Sequence, residues 1–311
     1  MTIRRLSAKD VMPDALRGAV AALGNFDGFH LGHQAVAGEA IAQARAAGKP
    51  AIIATFDPHP VRFFAPDAPW FRLTTLDQRQ HLFAEAGADA MLVFDFDAAL
   101  AATTAEDFIV ELLVKRLGLS GVVTGEDFTF GKGRGGNINV LRELGADHGL
   151  HATAMGPVMD DNGVISSSRV RDALRSGDCT TATRLLTRPF AVEGVVQHGD
   201  KNGRLLGFPT ANIDMAHYLR PRYGIYAVKG RLPDGRVVDG AANLGIRPSF
   251  DPPKELLEPH FFDFSEDLYG QKIEVEFHAF IRPEAKFDSM DALMAQMATD
   301  CDEARKALAA R

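Results

Sequence analysis

His30 and His33 stand three residues apart in the run Leu23-Gly24-Asn25-Phe26-Asp27-Gly28-Phe29-His30-Leu31-Gly32-His33. Glycines at 24, 28 and 32 let the backbone turn tightly and approach a bound group closely. Two imidazoles at one helix entrance can both face the same anion. An apolar run, Ala19 to Leu23, precedes the stretch, and the alanine-rich segment Gln34 to Ala47 follows it up to Gly48. Strand, glycine-rich turn and helix in that order present backbone N–H groups and the positive end of a helix to phosphate. The plainer alternative is a pair of solvated turn histidines. A metal site fits less well, because no cysteine and no third histidine lies close by at ligand spacing. The run is neither a P-loop nor a Gly-x-Gly-x-x-Gly fingerprint.

Three further loops carry groups of the same kind. The apolar run Ala51–Phe56 ends in Asp57-Pro58-His59-Pro60, where two prolines hold His59 in one orientation. Gly121-Val122-Val123-Thr124 opens into Gly125-Glu126-Asp127 and the glycine cluster Gly131–Gly136. There Glu126 and Gly133 occupy positions where a P-loop needs glycine and serine or threonine. Ile165-Ser166-Ser167-Ser168-Arg169-Val170-Arg171 precedes a helical segment, so its hydroxyls can cap a helix and its arginines can add bidentate donors. Taken singly these read as a surface histidine, a solvated tip and a serine cap. Four strand-following loops with groups suited to a nucleotide instead predict an α/β fold with a doubly wound, mostly parallel sheet. Ala90–Phe94 is another buried strand, Thr103 with Glu106 reads as a capping box, and Ala105, Phe108, Ile109, Leu112 and Leu113 form an apolar helical stripe.

Near Leu185 the pattern changes, and two domains, 1–184 and 185–311, are expected. Ile273, Val275, Phe277, Ala279 and Ile281 alternate with more polar neighbours, as in a half-buried strand. Pro233-Asp234-Gly235 is a turn between strand-like runs 224–232 and 236–242. Short strands and frequent turns suggest a small antiparallel β-barrel. A terminal helix is expected to bury Met290, Leu293, Met294, Met297, Cys301 and Leu308. Between these elements runs Gly199-Asp200-Lys201-Asn202-Gly203-Arg204-Leu205-Leu206-Gly207-Phe208-Pro209-Thr210-Ala211-Asn212. Its charges exclude a membrane helix despite the four-residue glycine spacing, and a loop wrapping phosphates is the better reading.

The 311 residues are ample for two cores, and 46% hydrophobic with 24% charged residues is ordinary for a soluble protein. A formal net charge of -7 argues against nucleic-acid binding by general basicity. Cys179 and Cys301 imply neither a disulfide framework nor a cysteine metal site. No leader-like apolar region follows Met1, and no apolar run is long enough to span a membrane, so a cytoplasmic protein is expected. A homo-oligomer stays open.

His30-Leu31-Gly32-His33 matches the His-x-Gly-His signature of the nucleotidylyltransferase superfamily. With Asn25-Phe26-Asp27-Gly28 in front, the stretch resembles the prokaryotic bifunctional riboflavin kinase/FAD synthetases. The 165–171 run resembles the second superfamily signature, Ile-Ser-Ser-Thr-x-x-Arg, with Ser168 in place of threonine. Gly207-Phe208-Pro209-Thr210-Ala211-Asn212 resembles the riboflavin kinase signature, and Glu258-Pro259-His260 the family's Glu-x-His. Asn243–Phe250, Asp267–Gly270 and Arg282–Phe287 resemble further family segments. Departures are Thr187 for glycine, Ser249 for threonine, and Pro259 beside Glu258.

The resemblance implies a Rossmann-like FMN adenylyltransferase domain followed by a riboflavin kinase barrel. Two ATP-dependent reactions then follow, riboflavin to FMN and FMN to FAD, with ATP as co-substrate and riboflavin, FMN and FAD as substrates and products. It implies nucleotide contacts for the adenylyltransferase at Gly24, Asn25, Phe26, Asp27, His59, Asp127, Ser167, Ser168 and Arg171, with His30 and His33 catalytic. For the kinase it implies Gly199, Gly203, Gly207, Pro209, Thr210 and Asn212 on the nucleotide. Thr210 and Asn212 would hold Mg²⁺, Glu258 would be the general base, and Asn243 and Arg282 would meet the flavin. A nucleotidylyltransferase for another phosphate ester and a flavin-sensing module without chemistry are the rival readings.

Overall fold

The computed structural model describes residues 3–198, 208–247 and 254–310. Val20–Leu23 (β2), Ala51–Asp57 (β3), Ala90–Asp95 (β4) and Gly121–Gly125 (β5) are the apolar runs, and nearly every residue in them is buried. Strands covered by helices on both faces read this way. Arg4–Ser7 (β1) and His151–Met155 (β6) complete a sheet ordered β1-β4-β3-β2-β5-β6, with every neighbouring pair parallel. These two edge strands are more polar and partly exposed, which hides them from a search for apolar runs. From β2 the chain winds through β3 to β4 on one side and later through β5 to β6 on the other. The topological switch point therefore lies between β2 and β5.

Helix α1 (Leu31–Ala46) buries Val36, Ala37, Ala40 and Ala44 on one sheet face, beside Phe83 of α3 (Leu76–Glu85). The opposite face is covered by α5 (Ala105–Asp107, continuing in π-helical form over Phe108–Arg116) and α6 (Ile138–Asp147), through Ile109, Leu113 and Leu141. Short helices α2 (Pro60–Phe64) and α4 (Ala98–Ala102) sit after β3 and β4. The cap of α5 lies one residue beyond the expected position. Thr104 accepts the Asp107 N–H at 3.0 Å, while the Thr103 hydroxyl donates to Ala99 O at 2.9 Å and closes α4. Ile165–Arg171 follows a short hairpin, Met159–Asp160 (β7) and Gly163–Val164 (β8), rather than a strand of the parallel sheet.

By Cα packing the chain forms two compact units. One comprises the residues up to Pro69 with Thr74–Ser166, and the other comprises Trp70–Leu73 with the residues from Ser167 on. In the second unit α7 (Ser167–Ser176) and α8 (Cys179–Leu186) precede Phe190–Val195 (β9), Ile213–Asp214 (β10), Gly224–Arg231 (β11), Val237–Arg247 (β12), Lys254–Phe261 (β13) and Lys272–Arg282 (β14). The strands pair antiparallel in the order β10-β13-β12-β11-β14-β9. A bridge between Gln197 and Asn212 brings the two ends together, and Ile213 packs so close to Gly194 that a Cβ there would lie 2.6 Å from it. The result is a nearly closed barrel filled by Tyr226, Val228, Leu244, Leu257, Val275 and Phe277. Pro233–Gly235 forms the β11–β12 turn, with Gly235 at φ 88° and the Asp234 carboxylate accepting the Arg236 N–H.

The terminal helix α9 (Met290–Ala309) lies along β11, β12 and β14. It buries Asp300, Ala304 and Leu308 but leaves Met290 57% and Met294 37% exposed. The expected apolar stripe therefore reaches the barrel only over its second half.

Candidate active sites

The carboxyl ends of β3, β2 and β5 are neighbours in the sheet, so the loops carrying His59, His30 with His33, and Asp127 emerge side by side at the switch point. His30 is the N-cap of α1, its Nδ1 accepting the His33 N–H at 3.4 Å. In the neutral imidazole that assigns the proton to Nε2, a donor. The two rings stack at 3.7 Å with 22° between planes, and the edge of Phe26 supports His33 at 5.3 Å. Gly32 suits this approach: a Cβ would lie 3.1 Å from His30 Cε1 and 3.2 Å from Ile165 O, tighter than ordinary van der Waals contact.

The turn ahead of the histidines is held open against its own preferences. Phe26 (φ 48°), Gly28 (φ 85°) and Phe29 (φ 46°) all adopt left-handed backbone, which the two phenylalanines resist. Thr74 holds the turn, since its hydroxyl accepts the Gly28 N–H at 2.9 Å and its own N–H donates to Asp27 Oδ1 at 3.0 Å. Asp27 and His30 are both 5% exposed. Asn25 Oδ1 and, at the end of β5, Thr124 Oγ1 are buried without a hydrogen-bond partner among the described residues. Buried polar atoms left unpaired at a sheet's ligand edge are groups a bound molecule or water satisfies. His59 caps α2, with Nδ1 accepting the Val61 N–H at 3.2 Å, and Asp127 is exposed beside Gly125.

Ser167, Ser168 and Arg171 fall in α7, in the second unit. Ser168 is exposed. Arg171 Nε donates to Phe71 O at 2.9 Å, and its guanidinium lies 5.1 Å from the Phe71 ring centre.

On the barrel, Asn243 of β12 and Glu258 of β13 are directly opposed, and Asn243 Nδ2 donates to Glu258 Oε2 at 3.4 Å. The segment carrying Pro209, Thr210 and Asn212 runs along β13. Ala211 N–H donates to Pro259 O at 2.9 Å, and Pro209 O lies 2.8 Å from His260 Nδ1. Pro259 fits here because its carbonyl carries the link and the missing N–H is not needed. The strand pairing thus gathers Thr210, Asn212, Asn243 and Glu258 on one stretch of barrel. Gly199, Gly203 and Gly207 lie outside the described residues. Arg282 pairs bidentately with Asp300 of α9, at 2.7 and 2.6 Å, and its guanidinium lies 5.7 Å from the Phe287 ring centre. Near the barrel edge, burial and the neighbouring Glu255 carboxylate push the Tyr223 phenol up to about 12, so it remains a donor.

Thr74 and Arg79 are absent from the sequence expectations. The only local signal is a capping box, Thr75 with Gln78, that starts α3. Nothing in the spacing ties Thr74 to Asp27, 47 residues away.

A doubly wound parallel sheet with a histidine pair at its switch point, followed by an antiparallel barrel with a Glu/Asn pair on its wall, is the architecture of a two-module nucleotide-handling transferase. Residues 12–169 match the FAD synthetase family and residues 186–308 the riboflavin kinase family. The bifunctional riboflavin kinase/FMN adenylyltransferase of Escherichia coli K12 is 39% identical over 283 residues, covering 91% of this chain and 90% of its own. The Haemophilus influenzae protein of that name is 38% identical, covering 93% and 94%, and that of Bacillus subtilis 35%, covering 92% and 91%. A crystal structure described as a macrolide-efflux protein from Streptococcus pneumoniae superposes with TM-score 0.86 at 29% identity, covering 97% of this chain and 99% of that one. Among the described residues of this chain, no helix is long and apolar enough to cross a membrane. The chain belongs to the bifunctional riboflavin kinase/FMN adenylyltransferase family.

Proposed function

We infer that this chain phosphorylates riboflavin to FMN on the barrel and adenylylates FMN to FAD at the sheet edge, spending one ATP in each reaction. The observation that carries this reading is that each unit gathers its own set of polar groups able to meet a phosphate. One set is the stacked His30/His33 pair at the start of α1, and the other is Thr210, Asn212, Asn243 and Glu258 along β12 and β13.

In adenylyl transfer, a phosphate oxygen of FMN attacks the α-phosphorus of ATP and pyrophosphate departs. The nucleophile is already anionic and needs no base. What the protein supplies is position and positive potential: His30 Nε2–H, the His33 ring and the positive N-terminal end of α1. Asp27 braces the turn through Thr74. Gly24, Asn25 and Phe26 shape its wall, and His59 and Asp127 flank it on the neighbouring strand ends. Ser167, Ser168 and Arg171 are proposed as phosphate donors, supported by the signature they match.

In the kinase reaction, Glu258 takes the proton of the ribityl hydroxyl as that oxygen attacks the γ-phosphorus and ADP departs, an effect of order 10²–10⁴ in rate. Asn243 orients the Glu258 carboxylate. Thr210 and Asn212 are neutral, hard oxygen donors, and among the described residues no cluster of histidine, cysteine or carboxylate groups could cage a metal. That donor set fits Mg²⁺, which Thr210 and Asn212 would hold and which would supply neutralisation of developing phosphate charge. Arg282 and Asn243 are the proposed flavin neighbours, Arg282 through the segment it anchors. The module boundary is proposed at 184/185. A cytoplasmic location is proposed, supported by two cysteines that form no disulfide.

Incubating the protein with riboflavin, ATP and Mg²⁺ and separating the flavins by chromatography tests the reading. FMN followed by FAD, with one pyrophosphate per FAD, is expected. FMN without FAD would leave the kinase alone and point the sheet-edge site to another phosphate ester; neither product would overturn both assignments.

A further inference from the structure

Arg79 of α3 is 3% exposed, and its guanidinium lies where two loops leave the sheet. Its Nη1 donates to Thr55 Oγ1 at 2.8 Å, to Asn25 O at 3.2 Å and to Phe56 O at 3.5 Å, and its Nη2 stands 3.5 Å from Asp57 Oδ1. Thr55, wholly buried in β3, passes the link on by donating to Asn25 O at 2.7 Å. One side chain therefore grips the first residue of the His30/His33 turn proper and the last residues before Pro58-His59-Pro60.

Both loops need such a grip. The turn beginning at Asn25 carries left-handed backbone at Phe26 and Phe29, a strain kept only where the surroundings over-determine it. Carbonyls at the end of a strand otherwise bond to water and let the chain fray. A planar guanidinium can meet several oxygens in a fixed geometry, which an ammonium on a flexible stem does not reproduce.

We propose that Arg79 is a positioning residue for adenylyl transfer, setting the His30/His33 turn and the His59 loop in one fixed relation without touching substrate. The proposal rests on the sheet-edge site being the adenylyltransferase.

The test compares Arg79→Met, Arg79→Lys and Thr55→Val, measuring kcat and KM for FMN adenylylation and, in the same preparations, riboflavin phosphorylation as an internal control. A displacement of about 1 Å in a positioned group lowers a rate by roughly 100-fold. Arg79→Met should therefore lose roughly that factor in kcat, with KM for ATP within about threefold and phosphorylation within about twofold. Arg79→Lys should recover part of the loss but stay at least about tenfold down, and Thr55→Val should fall in the same direction by less. Thr55→Val added to Arg79→Met should bring little further loss, because the two act as one link. Full kcat in Arg79→Lys and Thr55→Val, or a loss lying wholly in KM, would overturn the proposal even if Arg79→Met does not fold. A wild-type chain that makes FMN but no FAD would instead refute the assignment of the site.

Discussion

Arg282 and Asp300 offer the sharpest energetic prediction, because the structure ties a residue expected at the flavin to the terminal helix. Asp300 is 4% exposed, and the Arg282 side chain keeps a fifth of its surface. Two parallel N–H···O bonds of 2.7 and 2.6 Å join them, and Gln296 Nε2 adds a third to Asp300 at 2.9 Å. Removing one partner of such a pair strands the other as an uncompensated charge, at about 3–5 kcal/mol. Partial exposure of Arg282 places the expected loss at the lower end, about 3 kcal/mol, for Asp300→Asn and for Arg282→Met. In a domain of this size that is a fall in melting temperature of roughly 6–12 °C. Once both charges are gone there is nothing left to strand, so the double variant should lose well under the sum of the singles. The assay is thermal and urea unfolding of the four proteins, followed through the barrel by its kinase activity. Additive losses, or singles within about 1 kcal/mol of wild type, would refute the reasoning.

Three further outcomes follow from the same geometry. Thr74→Val removes the acceptor of the Gly28 N–H, so FMN adenylylation should fall at least about tenfold while riboflavin phosphorylation is unchanged; equal rates would remove Thr74 from the site's support. The His278 ring and, to a lesser degree, Arg231 hold the Glu276 carboxyl below the usual carboxylate range against the effect of burial. A depressed carboxylate stabilises the fold above its unfolded pKa and loses that contribution as pH falls through the folded one. Unfolding titrations should thus show Glu276→Gln less stable than wild type at pH 7, with the gap closing below about pH 4. A gap independent of pH would contradict this. Gly32→Ala should slow FAD formation in folded protein, since its Cβ would press on both the His30 ring and the Ile165 carbonyl; an unchanged rate of FMN adenylylation would show that these neighbours yield.

Much of the fold was legible because burial writes itself into composition. β2, β3, β4 and β5 are short apolar runs, and their order with the intervening helices dictates a parallel sheet. The edge strands β1 and β6 were not legible, since edge positions tolerate polar residues such as Arg4, Arg5 and His151. The face of α9 was misjudged for a related reason: Met290 and Met294 keep helical spacing with the buried residues yet extend beyond the barrel they would pack against. At the site, glycine spacing and histidine pairing were local signals and could be read. Thr74 and Arg79 act across 47 and 54 residues of chain, in part through backbone carbonyls and N–H groups that any residue would provide, so no local pattern of residue types records them.

The central claim is that two separately built sites perform the two transfers. The most direct measurement compares flavin products from His30→Ala/His33→Ala with those from Glu258→Gln, each folded and each supplied in parallel with riboflavin or with FMN. The first variant should convert riboflavin to FMN and stop there. The second should make no FMN from riboflavin yet convert added FMN to FAD at the wild-type rate. Loss of both activities in either folded variant would contradict the account.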